Sequence, residues 1–130
     1  MVRGIYNFYA SRIRSNRPGF FREFAFYLVA VVISAGLDFA STCQFMSEGG
    51  IDDELHPLIR IVSHLFGPVM GPLFGKLGQL AAVVFLTLVF RRAARVIFIP
   101  VIVIYLYAAW FNTYGVTLYT PLFLRLIFRW

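Results

Sequence analysis

Three apolar runs of about twenty residues each, Phe24 to Met46, Val69 to Phe90 and Val96 to Tyr114, constrain this chain more than any other feature. A helix needs about 20 apolar residues to cross roughly 30 Å of hydrocarbon. The runs are continuous and lack the alternation of a barrel wall, which argues against transmembrane strands. Composition points the same way. Of the 130 residues, 60% are hydrophobic, 18% aromatic and only 14% charged, too little polar surface for a soluble domain of this length. The expected fold is an all-α integral membrane protein: three transmembrane helices within residues 24–114, a basic cytoplasmic or interfacial arm over 1–23, and an interfacial, amphipathic tail over 115–130. The tail is too short to span and carries Arg125 and Arg129.

The formal net charge of +6 is a matter of topology, and no nucleic-acid partner is expected. Arg3, Arg12, Arg14, Arg17 and Arg22 precede the first run, and Arg91, Arg92 and Arg95 fill the turn between the second and third. Glu48, Asp52, Asp53 and Glu54 lie in the loop between the first and second. By the positive-inside rule the N-terminus faces the cytoplasm, or a matrix, and the acidic loop faces outward. A bacterial inner membrane is the expected location, with an organellar inner membrane as the alternative. The single Cys43 excludes an intramolecular disulfide.

Charged side chains within a span need a partner or a purpose. Asp38 lies about 4.5 Å outward of the first run's midpoint, and Lys76 about 5 Å outward of the second's, at 1.5 Å per helical residue. They are level. Ala30, Ser34, Asp38 and Thr42 recur every four residues, as do Gly67, Gly71 and Gly75, with Gly78 extending the small face of the second run. Such stripes allow close helix approach, so the first two spans are expected to pack stripe to stripe with Asp38 paired to Lys76. The spacing slightly favours a pair that only fixes helix register over a functional site. Asn112, near the outer end of the third run, is positioned to join Asp38, Thr42 and Lys76 in a polar intramembrane cluster.

Between the first two runs, Gly49 and Gly50 end a helix, and Glu54, His56 and Pro57 lead into Leu58 to Phe66. That segment has an amphipathic pattern and reads as a short interfacial helix lying on or dipping into the outer surface, with Glu54, His56 and Pro57 as an outer cap over the polar cluster. His56 and His64 are eight residues apart across a proline, which is not the i, i+4 spacing of two imidazoles on one helical turn.

This order of residues resembles a family of small three-span prokaryotic membrane proteins catalogued only as a domain of unknown function. The pattern is an aspartate followed by Ser or Thr, a Gly-rich turn, an E-x-N-P-L element, a lysine and an aromatic-Asn pair. Asp38 with Ser41 and Thr42, Gly49 and Gly50, Glu54 with Pro57 and Leu58, Lys76, and Phe111 with Asn112 match it over about residues 25 to 115. His56 stands where that family has Asn. The resemblance implies a shared polar cluster and names no reaction.

Three functions are therefore set side by side. The first is a non-catalytic accessory or scaffolding subunit of a larger membrane complex, with the lipid bilayer and other integral membrane subunits as partners. The second is a homo-oligomeric transporter or channel for an ion or small polar solute, built on Asp38, Lys76 and Asn112. The third is a metal or membrane-enzyme site at Glu54, His56 and His64. The first is the expectation, with no enzyme activity, no cofactor and no metal, because the chain carries no Walker loop, nucleophile elbow or dinucleotide fingerprint.

Overall fold

The computed structural model describes residues 1–54 and 56–115, and these are helical throughout, with no strand among them. In chain order the helices are α1 (Val2–Asn16), α2 (Phe20–Glu23), α3 (Ala25–Gly49), α4 (Pro57–Phe66), α5 (Met70–Val89) and α6 (Ala94–Trp110). A π turn, Phe111–Gly115, continues α6, and 3-10 turns at Ile51–Asp53 and Arg91–Ala93 complete the path. Three helical segments are long and apolar enough to cross a membrane: Ala25–Gly49, Met70–Val89 and Arg91–Tyr114, with hydropathies of 1.7, 1.7 and 2.0. The tail expected from residue 115 onward lies, Gly115 apart, outside the described residues.

Helix ends follow local chemistry. Gly50 and Gly67 stop α3 and α4 at φ of +96° and +93°, a left-handed region open to glycine without strain. Pro57 begins α4 where the missing N–H is no loss, and His56 caps it by accepting the Ile59 N–H on Nδ1 at 3.4 Å.

The long helices divide into an apolar end and a polar end. At the end nearest the arm, Phe20, Phe24, Val31, Ala35, Val83, Ala94 and Phe98 are buried together, and Tyr27 stacks on Phe98 at 5.8 Å between centroids. Phe24 meets Phe98 at this end, while Thr42 meets Asn112 at the other, so α3 and α6 run parallel and are each other's main neighbours. The helix α5 runs against both.

The arm is tied down by groups that topology alone does not explain. The Asn16 amide donates to the carbonyls of Leu88 and Val89 at 2.7 and 3.1 Å, covering acceptors that the end of α5 leaves open. Arg91 donates to the carbonyls of Asn16 and Pro18, both at 2.8 Å, and pairs with Glu23. An arginine read from sequence only as an orientation marker therefore clasps the turn between arm and first long helix.

One packing expectation is corrected here. The helix α4 folds back along the first half of α5, antiparallel to it, with Ser63 against Gly71 and Ile59 against Gly75. A Cβ at Gly71 would fall on the Ser63 backbone, and one at Gly75 on the Ile59 side chain. The glycine stripe is thus occupied by α4 and not by the small-residue stripe of α3. Gly78 takes no part, since a Cβ there would meet nothing within 4 Å. Glycine periodicity marks a surface for close approach, and nothing in it specifies which helix will use that surface.

Candidate functional site

Despite that change of partner, Asp38 and Lys76 meet. One residue beyond Gly75, Lys76 projects toward α3 and its ammonium donates to Asp38 Oδ2. Both side chains are buried, at 11% and 6% exposure, so the pair sits in low dielectric and each charge depends on its remaining partners. Lys76 has two more. It donates to Gln79 Oε1 at 3.1 Å, one turn along α5, and lies 4.6 Å from the centroid of the Tyr105 ring on α6, a cation–π contact. The Tyr105 hydroxyl donates to the same Gln79 oxygen at 3.1 Å, which ties α6 to α5.

On the other side of the carboxylate, Thr42 lies one turn along α3 and donates to Asp38 Oδ1 at 3.3 Å. Ser41 donates to the Asp38 carbonyl at 2.9 Å. Asn112 reaches across from the π turn, its amide 3.1 Å from Thr42 Oγ1 and 3.3 Å from Ser41 Oγ. The widened backbone of that turn is what carries Asn112 over α3, a common use of π geometry at sites. The four residues singled out from sequence, Asp38, Lys76, Thr42 and Asn112, therefore form one connected network. Gln79 and Tyr105 belong to it as well. The sequence pattern singled out neither of these two.

The network lines a cavity of about 520 Å³ bounded by α3, α5, α6 and the start of α4. Glu54 and His56 line it too, because α4 runs antiparallel to α5 and so brings its first residues down beside the ion pair. Lys76 lies six residues into α5, about 9 Å from its start. Glu54 Oε1 accepts the His56 N–H at 2.9 Å and is buried. Partial burial of the His56 ring, and then the nearby Lys76 ammonium, push its pKa below the usual histidine value, against a weaker opposing effect of Asp38. Pro57 fixes the start of α4 at this point.

His64 is elsewhere. It sits in the last turn of α4, exposed, with Nε2 2.9 Å from Asp52 Oδ1. The third reading required Glu54, His56 and His64 to converge, and α4 holds the two histidines at opposite ends of a ten-residue helix. Among the described residues no group of three His, Cys, Asp or Glu side chains could hold a metal ion.

Chemically, the cavity offers two carboxylates, one ammonium, two amides, hydroxyls from Thr42 and Tyr105 and the aromatic faces of Tyr107 and Phe111. Val83, Val101 and Ile104 supply apolar wall. Comparison with known proteins finds no matching family model, no matching curated protein and no matching solved structure.

Proposed function

We propose that the chain is an integral membrane protein in which α3, α5 and α6 cross the bilayer and α4 re-enters from the outer side to close a binding cavity for a small cation or protonated amine. The arm and the Arg91 turn face the cytoplasm or matrix, in keeping with the positive-inside rule. The observation that carries the reading is the cavity itself. Ionisable side chains from three separate segments converge at one depth in an otherwise apolar bundle, a costly arrangement for a purely structural contact.

Charge selects the solute. Asp38 already accepts an ammonium, that of Lys76, inside the cavity, so this carboxylate favours a cation. Tyr105, Tyr107 and Phe111 add ring faces suited to an ammonium. Lys76 already occupies the carboxylate of Asp38 in this manner, and an incoming cation would compete with it.

Three long helices and one short one are too few to enclose a pathway, so movement of the solute across the membrane calls for a homo-oligomer. Leu37, Phe74, Val103 and Ile104 are among the exposed apolar residues available to lipid or to a second copy. Because lipid also covers such a surface, it favours neither this reading nor the accessory-subunit one, and the cavity is the observation that supports the solute reading.

The test is uptake of sodium and of methylammonium into liposomes containing the purified chain, alongside Asp38→Asn. Flux or saturable binding in the parent, lost in a folded Asp38→Asn variant, supports the proposal. Absence of both, with the native chain recovered only in a larger hetero-oligomeric complex, returns the accessory-subunit reading.

A further inference from the structure

At the opposite end of the molecule the arm, its turn and the end of α5 enclose a second and larger space, a groove of about 940 Å³. Its floor is apolar: Ile13 and Tyr9 from α1, Phe21 from α2 and Phe85 from α5, with Tyr9 and Phe85 in ring contact at 5.8 Å. Arg14 and Arg17 line it as well. They are three residues apart at the end of α1 and so lie on one face. Neither has an ion-pair partner among the described residues, and Glu23, the acid at this end of the bundle, is taken by Arg91. An open apolar trough with two uncompensated guanidiniums beside it fits an amphiphile with an anionic head.

We propose that this groove holds one anionic phospholipid of the inner leaflet, its phosphate between Arg14 and Arg17 and an acyl chain along Ile13, Phe21 and Phe85. Guanidinium groups pair with phosphate oxygens in a bidentate fork, and the ring-lined floor accounts for the affinity that a free phosphate would lack. The site depends on the membrane reading and is independent of the solute cavity at the other end, so either can fail without the other. A lipid there would also explain why the arm is clasped by Asn16 and Arg91: the clasp holds one wall of the groove in place.

The full chain in detergent or nanodiscs, titrated with phosphatidylglycerol and with phosphatidylcholine and read by native mass spectrometry, tests this. Two basic residues at an anionic headgroup predict a preference of about tenfold or more for phosphatidylglycerol. The double variant Arg14→Ala/Arg17→Ala should reduce that preference to about twofold or less. Because both side chains are exposed, the variant should keep its fold, checked by an unchanged far-UV circular dichroism spectrum and thermal unfolding midpoint. Arg3→Ala/Arg22→Ala removes the same charge away from the groove and should leave the preference intact. The proposal is overturned if the two double variants lose it equally, if phosphatidylcholine is retained as well as phosphatidylglycerol, or if millimolar inorganic phosphate displaces the lipid.

Discussion

Removing Lys76 should destabilise the protein more than removing the charge of Asp38, although the two form one pair. In Lys76→Met the Asp38 carboxylate stays buried with the Thr42 hydroxyl, at 3.3 Å, as its one remaining side-chain donor among the described residues. Breaking a buried pair from one side costs about 3–5 kcal/mol, and this variant belongs at the upper part of that range. In Asp38→Asn the amide oxygen still accepts from Lys76, which also keeps Gln79 at 3.1 Å and the Tyr105 face. The loss there should be about 1–3 kcal/mol, as for a buried donor whose best acceptor is weakened. With both changes, neither charge remains, and stability should return to within about 1–2 kcal/mol of the parent, a coupling of about 3–7 kcal/mol, at or above the top of the 0.5–3 kcal/mol range for side chains in contact. Reversible unfolding in mixed micelles, followed by far-UV circular dichroism for the four proteins of the cycle, measures these differences. Additive losses with no recovery in the double variant would show that the two side chains do not share a site and would refute the reasoning.

The glycines of α5 predict an order of effects in the same assay. Gly71→Ala should cost about 1–3 kcal/mol because its Cβ meets the Ser63 backbone, Gly75→Ala less because the Ile59 side chain can turn aside, and Gly78→Ala should be neutral or stabilising. The lowered pKa of His56 means that the unfolded chain binds its proton first, so stability should be level above the ordinary histidine pKa of about 6.5 and fall as pH drops below it. His56→Asn, which keeps a capping side chain, should flatten that part of the pH profile, and an unchanged slope would exclude His56 as its source. Asn16→Ala, which strips the amide from the Leu88 and Val89 carbonyls, should raise tryptic cleavage at Arg12 and Arg14 without moving the ion-pair cycle. In oriented vesicles, Asp52→Cys should react with an impermeant thiol reagent from outside and Ser15→Cys should not. The reverse pattern would invert the topology.

Hydropathy was enough to locate the three long helices, because apolar runs of this length have few other folds open to them. Depth arithmetic along each run was enough to bring Asp38 level with Lys76, and the outward position of Asn112 was enough to bring it to Thr42. What pattern could not reveal was identity of contact. An amphipathic segment such as Leu58 to Phe66 has the same periodicity whether its apolar side meets lipid headgroups or a neighbouring helix, so the direction of α4 was not legible. Nor was the clasp formed by Asn16 and Arg91, since both side chains bond to backbone carbonyls, which any sequence carries. Gln79 was missed because a single amide in an apolar run has no spacing to betray it. Its signal, available in hindsight, is that it lies three residues from Lys76 and so on the same helical face.

The account rests on α4 entering the bilayer to close the cavity, and the depth of two positions on α4 tests that most directly. Leu58 and Leu65 are both exposed, at 56% and 72%, and are seven residues apart, about 10 Å along a helix. With Cys43 replaced by alanine, nitroxides placed through Leu58→Cys and Leu65→Cys can be ranged by power-saturation electron paramagnetic resonance with oxygen and a polar relaxant. If α4 runs alongside α5, the label at residue 58 lies deeper in the bilayer than the label at residue 65 by about 10 Å. Equal depths for the two labels would mean that α4 lies flat on the surface, and that the cavity closed by Glu54 and His56 does not form in the membrane.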